Sequence, residues 1–197
     1  MRFTLFPLLL IFTVAAHAQS SLAETPAAGA PMAAAPAPLL LKKGDTAPNF
    51  SRPDEQGHTQ TLKALLARGP VLLAFFPKDF TGGCTAELSQ LRDRYAEFTA
   101  AHVTVLAVSL DDAESHQKFK EKYKFPFPIL VDGDRSLTTA YGQLKSMAHD
   151  GQTMAYANRS FFLIGRDGKL AYVDQNFKID DAGWKALFAA VAALPAK

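Results

Sequence analysis

The 197 residues contain a single cysteine, Cys84, so no disulfide can close within the chain. Charge of neither sign is in excess: a net +2 supplies no basic field for nucleic acid, and no acidic tail is present. The exposed-looking Lys42-Lys43 pair reads as solvated surface. Phosphate-binding loops and dinucleotide fingerprints are missing, and with them the usual reasons to expect a nucleotide cofactor. The histidines lack a paired metal spacing such as H-x-x-x-H, so no metal is expected. His58, His102, His116 and His149 are read as surface residues, and His17 belongs to the N-terminal segment. No internal repeat is visible.

What is present begins with a leader. Arg2 precedes an uncharged stretch, FTLFPLLLIFTVAA (3–16), followed by Ala16-His17-Ala18. Positive charge, short apolar run and A-x-A site together read as a secretory signal peptide over residues 1–18. The apolar run falls short of the roughly 20 residues of a comfortable membrane span, so no stable span is expected; the alternative is an uncleaved anchor. No cysteine lies near the cleavage site to carry a lipid. Residues 19–38, QSSLAETPAAGAPMAAAPAP, have prolines too frequent for a helix and little to bury, and read as a flexible Ala/Pro-rich linker. The folded domain is then 39–197, roughly 160 residues, enough for one core.

Within it, VLLAFF (71–76) and VTVLAVSL (103–110) are continuous apolar runs, the mark of buried strands. Leu88, Leu91, Tyr95 and Phe98 recur at helical spacing and predict one amphipathic helix starting near Cys84. Asp111 or Asp112 caps a second helix reaching Tyr123, with Phe119 and Tyr123 on one face. FPFPILVD (125–132) predicts a short strand, and 136–142 a short helix stopped at Gly142. SFFLIG and KLAYVDQ flank Arg166-Asp167-Gly168, a hairpin signal. Asp180 or Asp181 opens a last helix with Trp184, Leu187, Phe188 and Val191. A small hairpin at 47–62, turning at Asp54–Gly57, precedes the rest. The order β-α-β-α-β, hairpin, helix specifies an α/β domain: a central mixed sheet flanked by helices, similar to the thioredoxin-like fold, with an N-terminal hairpin extension.

Cys84 thus follows a strand's C-terminal end and sits at a helix start. There, unpaired backbone N–H groups and the helix dipole favour the thiolate, the nucleophilic form. Gly82-Gly83 let the backbone come close to a ligand. A helix terminus contributes at most about 2 kcal/mol, too little to ionise a thiol fully at neutral pH, so a nearby cation is expected as well. The bland alternative is a small buried hydrophobe.

Pro77, Thr81 and Cys84 spell P-x-x-x-T-x-x-C after an apolar strand. This resembles the active-site motif of peroxiredoxins, thiol-dependent peroxidases. LKKGDTAPNF (41–50), the text around Leu91–Phe98, KFKEKYKFPFPILVD (118–132) and NRSFFLIGRDGKL (158–170) extend the similarity over most of Leu41 to Lys178, with the Q-type or bacterioferritin-comigratory subfamily as the nearest match. The resemblance implies that Cys84 is the peroxidatic nucleophile, that Thr81 holds the peroxide in line with the sulfur, and that Pro77 shields the thiolate. It makes Arg159 the active-site arginine, the cation asked for above, and Glu87 a supporting acid that orients it. Thr81, Gly83 and Arg159 form the substrate-binding set. Each has a plainer reading: Pro77 as a strand terminator, Thr81 as a helix N-cap, Arg159 as a surface ion pair, Glu87 as a first-turn dipole partner. Phe80, Met147, Met154 and Tyr156 fit either an apolar mouth or ordinary packing.

Two departures stand out. Many Q-type relatives carry a resolving cysteine five residues on, where this chain has Ser89, and relatives usually have proline where it has Gly82. The resemblance therefore implies a one-cysteine enzyme: a hydrogen peroxide or organic hydroperoxide substrate, and an external thiol reductant such as glutathione or a glutaredoxin- or thioredoxin-like protein. It also implies a monomer or weak dimer, and, with the leader, export to a periplasm. The competing readings are a thiol-exchange protein, disfavoured because Thr81 and Glu87 occupy the C-x-x-C positions, and a non-enzymatic binding or holdase domain.

Overall fold

The computed structural model of the chain describes residues 40–149 and 151–195. The leader, and the linker up to residue 38, lie outside them. Among the described residues no helix is long and apolar enough to cross a membrane.

The N-terminal hairpin pairs β1 (Ser51–Pro53) with β2 (Thr59–Thr61), with Gly57 at positive φ in the turn. The Asp54 carboxylate accepts from the Gln56 and His58 amides and holds that turn. Helix α1 (Leu62–Arg68) follows, capped by the Thr61 hydroxyl, which accepts from the Ala64 amide. This helix was not anticipated from the sequence; its seven residues are too few to show a period. Then come β3 (Val71–Phe75), α2 (Gly82–Asp93), α3 (Tyr95–Ala100), β4 (Thr104–Ser109), α4 (Ala113–Tyr123), β5 (Ile129–Val131) and α5 (Ser136–Ala140). A second hairpin, β6 (Leu144–His149) and β7 (Gln152–Ala157), precedes β8 (Ser160–Ile164), β9 (Leu170–Asp174) and α6 (Asp181–Ala192). Asp112 caps α4 and Asp180 caps α6, each through its carboxylate.

The five-stranded sheet runs β5-β4-β3-β8-β9. β3, β4 and β5 are parallel, as crossover helices require, while β8 pairs antiparallel with β3 and with β9. It is the mixed, helix-flanked sheet expected. The unbroken apolar run of β3 is explained by burial on both faces. Leu72 and Ala74 join a core with Leu88, Leu91, Phe98, Phe119, Trp184 and Leu187, beneath α2, α3, α4 and α6. Val71, Leu73 and Phe75 join the opposite core with Leu62, Leu65, Leu137 and Tyr141, beneath α1 and α5.

Three readings change. The predicted single helix from Cys84 to Phe98 is two: at Arg94 the backbone turns to φ −99°, ψ 5°, and the guanidinium lies over Trp184 at 5.6 Å and Phe188 at 5.5 Å. Leu88, Leu91 and Phe98 stay buried, so the spacing was sound while the helix axis was not continuous. The β6–β7 hairpin was missed, although Asp150-Gly151 is the same turn signal that was read correctly at Asp167-Gly168. His116 is not a surface residue: it is fully buried on the inner face of α4, three residues before Phe119. His58 and His102 are exposed, as expected.

Candidate active site

β3 hands the chain to the site. The Phe76 amide still donates to Val108 O at 3.0 Å; Pro77, with no amide hydrogen, ends the ladder. The loop 77–81 then turns, with Phe80 at φ 60°, and delivers the chain to α2. Thr81 is the N-cap residue by position but makes no side-chain cap; its hydroxyl donates instead to Lys78 O at 3.1 Å. Thr81 is thus the N-cap by position only: the hydroxyl's hydrogen tightens the loop, and its lone pairs remain to accept. Cys84 is the third residue of α2, within the turn whose amides lack intrahelical acceptors. Its side chain is 1% exposed and belongs to the same core cluster as Leu72, Ala74, Phe76 and Leu88.

The expected cation is there. Arg159 immediately precedes β8, and the β3–β8 register sets Ser160 opposite Phe75, which brings residue 159 to the C-terminal end of β3. Its Nη2 lies 3.6 Å from Cys84 Sγ. Its Nη1 forms an ion pair with Glu87, whose side chain is fully buried. Glu87 is three residues beyond Cys84, one helical turn on, so both face the same guanidinium. Arg159 is therefore no surface pair and Glu87 no first-turn dipole partner: a buried carboxylate aims a planar cation at the one thiol. Gly83 has a specific reason to lack a side chain, since a Cβ there would stand 3.3 Å from Arg159 Nη2. Gly82, in contrast, faces open space.

Pro77 and Thr81 open onto a concavity of about 450 Å³, walled by Leu110, Met147, Met154 and Tyr156, with Lys78, Asp111 and Arg135 also lining it. Met147 and Met154 are cross-strand partners in the β6–β7 hairpin and are 53% and 40% exposed. Three of the four residues considered for an apolar mouth do line one. Phe80 does not; its ring packs 5.0 Å from Phe119.

The loop is also held by residues that sequence reasoning passed over. Asp79, 4% exposed, accepts from Ser115 Oγ at 2.7 Å through Oδ2, which also sits 2.8 Å from His116 Nδ1. The Asp79 amide donates to Asp111 Oδ2 at 3.0 Å. The available signal was the i, i+3, i+7 spacing of His116, Phe119 and Tyr123, which put the histidine on the apolar face of α4.

A redox-capable thiol beside a guanidinium, at a helix start in a thioredoxin-like sheet, defines a class of protein, and comparison with known proteins agrees. Residues 43–173 match the AhpC/TSA family. The chain is 38% identical over 138 residues to peroxiredoxin Bcp of Escherichia coli strain K12, covering 70% of this chain and 88% of that one. It is 33% identical over 149 residues to peroxiredoxin Bcp of Bacillus subtilis strain 168, covering 76% and 94%. Among solved structures, peroxidoxin BcpB of Mycobacterium tuberculosis superposes with TM-score 0.70 at 31% identity, covering 79% of this chain and 99% of that one. The bacterioferritin comigratory protein of Xanthomonas campestris, whose structure was described for its alkyl peroxide reduction, superposes with TM-score 0.66 at 30% identity, covering 73% and 90%. This chain belongs to the AhpC/TSA family of peroxiredoxins. It is a Q-type member with one cysteine, and a thiol-dependent peroxidase.

Proposed function

We propose that Cys84 is the peroxidatic nucleophile of a one-cysteine cycle completed by an external thiol. The observation that carries this reading is the 3.6 Å contact between Arg159 Nη2 and the chain's single thiol, with Glu87 on the same guanidinium. The Cys84 thiolate attacks one oxygen of a hydroperoxide ROOH; the O–O bond breaks, an S–O bond forms, and RO⁻ leaves as ROH once it takes a proton. Arg159 favours the thiolate beforehand and the developing alkoxide afterwards, and its fixed charge needs no proton transfer. The Thr81 oxygen, its hydrogen already given to Lys78 O, accepts from the peroxide O–H and so fixes which oxygen meets the sulfur. Pro77 withholds a donor from the same spot.

With Ser89 in place of a second thiol, the sulfenic acid condenses with an outside thiol, releasing water and leaving a mixed disulfide. A second outside thiol then frees Cys84 and departs as the oxidised disulfide. Glutathione or a glutaredoxin- or thioredoxin-like protein suits that role, and the apolar wall of Met147, Met154 and Tyr156 suits organic hydroperoxides beside hydrogen peroxide. We further propose that the leader exports the enzyme to a periplasm, supported by the charge, apolar run and A-x-A site of residues 1–18. A mature N-terminus at Gln19 in periplasmic extract is the expected result; a full-length chain in the cytosol would end that part.

The central test is peroxide consumption with glutathione as reductant. Wild type turns over and Cys84→Ser does not; equal rates in the two would refute the assignment. Intact mass after one equivalent of hydrogen peroxide gives a sulfenic acid, converted by glutathione to a mixed disulfide.

A further inference from the structure

Cys84 is 1% exposed, and an attacking thiol must reach its Sγ along the S–O axis. Something at the site has to open between the two half-reactions. The two segments that lead to the sulfur, the loop and the first residues of α2, are held very differently. On one side, a Cβ at Gly82 would meet nothing within 4 Å among the described residues, and one at Gly83 would meet the arginine's edge at 3.3 Å. On the other, the loop 77–80 is fastened to α4 and the turn before it by three polar contacts to Asp79, at 2.7, 2.8 and 3.0 Å. The ring of Phe80, on an αL backbone, adds a packing contact to Phe119 at 5.0 Å.

The Asp79–His116 pair is the odd member of this set. Both side chains are 1% exposed or less, and among the described residues Asp79 Oδ1 and His116 Nε2 have no hydrogen-bond partner. Burying two titratable groups with half their capacity unmet is a poor way to stabilise a core; apolar residues of like volume serve as well or better. What the pair supplies is direction: a fixed hydrogen bond, with one end in the loop between Pro77 and Thr81 and the other on a rigid helix.

We propose that the Asp79–His116 pair is a positioning latch. It holds Pro77 and Thr81 in register with the sulfur, so that opening toward the reducing thiol is confined to the first turn of α2 and the peroxide-binding wall stays in place. This rests on Cys84 being the nucleophile. Freed from the latch, the loop drifts with the turn: the peroxide meets a misplaced Thr81, while the sulfenic acid becomes easier to reach. The two half-reactions then move in opposite directions, which a general loss of stability does not produce.

The experiment measures three quantities in His116→Leu and in His116→Asn, whose amide keeps a donor near the Nδ1 position. They are the rate of Cys84 oxidation by hydrogen peroxide, the rate at which glutathione captures preformed sulfenic acid, and hydrogen exchange across residues 77–81. His116→Leu slows oxidation about tenfold, the order expected for a sub-ångström misplacement. It also speeds capture and raises exchange in the loop, and His116→Asn returns all three toward wild type. Should His116→Leu not fold, Asp79→Ala/His116→Leu removes the orphaned carboxylate as well and must show the same opposed changes. Parallel loss of both rates, rates that do not move, or a folded His116→Asn that restores nothing would each overturn the latch. Exchange is read without turnover: unchanged protection across 77–81 sinks the latch alone, whereas undiminished peroxide consumption by Cys84→Ser sinks the peroxidase assignment and leaves the exchange result standing.

Discussion

The loop that leads into α2 and the first turn of α2, which carries Cys84, are built on opposite principles. Upstream, the loop 77–80 carries a proline, a buried aspartate and an αL phenylalanine, all committed to contacts with α4 or the mouth. Downstream, α2 begins with two glycines, one facing open space and the other leaving room for a guanidinium. One side is fixed by side chains; the other is kept adjustable by their absence. A buried sulfur that must meet first a peroxide and then a thiol needs a wall that stays and a turn that yields.

That contrast can be broken most severely from the yielding side. Arg159→Gln keeps two donors but loses the charge, and leaves Glu87 as an unpaired buried carboxylate. The second-order rate with hydrogen peroxide should fall by about 10² to 10³, as when a preorganised electrostatic group is deleted. Alkylation of Cys84 by iodoacetamide at neutral pH should slow in step. A fall in turnover with unaltered alkylation would show that the arginine acts on the leaving oxygen alone.

Gly83→Ala sharpens the comparison at smaller cost. Its Cβ would meet Arg159 Nη2 at 3.3 Å, close enough to push the guanidinium back by tenths of an ångström. A loss of about tenfold or less in peroxide rate, with unfolding hardly changed, is the expected outcome in stopped-flow and thermal melts. Wild-type kinetics would mean that the guanidinium has slack.

Gly82→Pro should have the smallest effect and the opposite sign on stability. Residue 82 is the first of α2, where proline is well tolerated, and Thr81 at φ −79°, ψ 145° already has the conformation that a following proline demands. The variant should gain about 0.4–1 kcal/mol by denaturant titration, because the unfolded chain loses freedom. Capture of the sulfenic acid by glutathione should slow slightly as the turn stiffens. A destabilised variant would show that the Gly82 amide is needed.

How far the site could be foreseen depended on the range of the interaction. Cys84, Thr81 and Pro77 sit within eight positions of one another, after a strand that its apolar run made obvious. Arg159 and Glu87 were legible only because the resemblance supplied them; by spacing alone, a residue 75 positions from the cysteine has no claim on it. Asp79 and His116 went unread because a lone histidine 37 residues from its partner carries no periodic signal beyond its place on α4. The β6–β7 hairpin was lost for a different reason: its polar, partly exposed strands lack the alternation of a half-buried one.

By itself the order of residues determined the sheet's apolar strands, an aspartate cap at 111 or 112 and another at 180 or 181, the thiol at a helix start, and the lack of a second thiol. These follow from periodicity, capping and composition, which act over a few residues. Only the tertiary structure decided that the guanidinium of residue 159 and the carboxylate of residue 87 converge on that thiol, and that the loop before it is bolted to α4. Those contacts are made by strand pairing and helix packing between segments far apart in the chain, and close packing, not local propensity, selects which distant side chains meet.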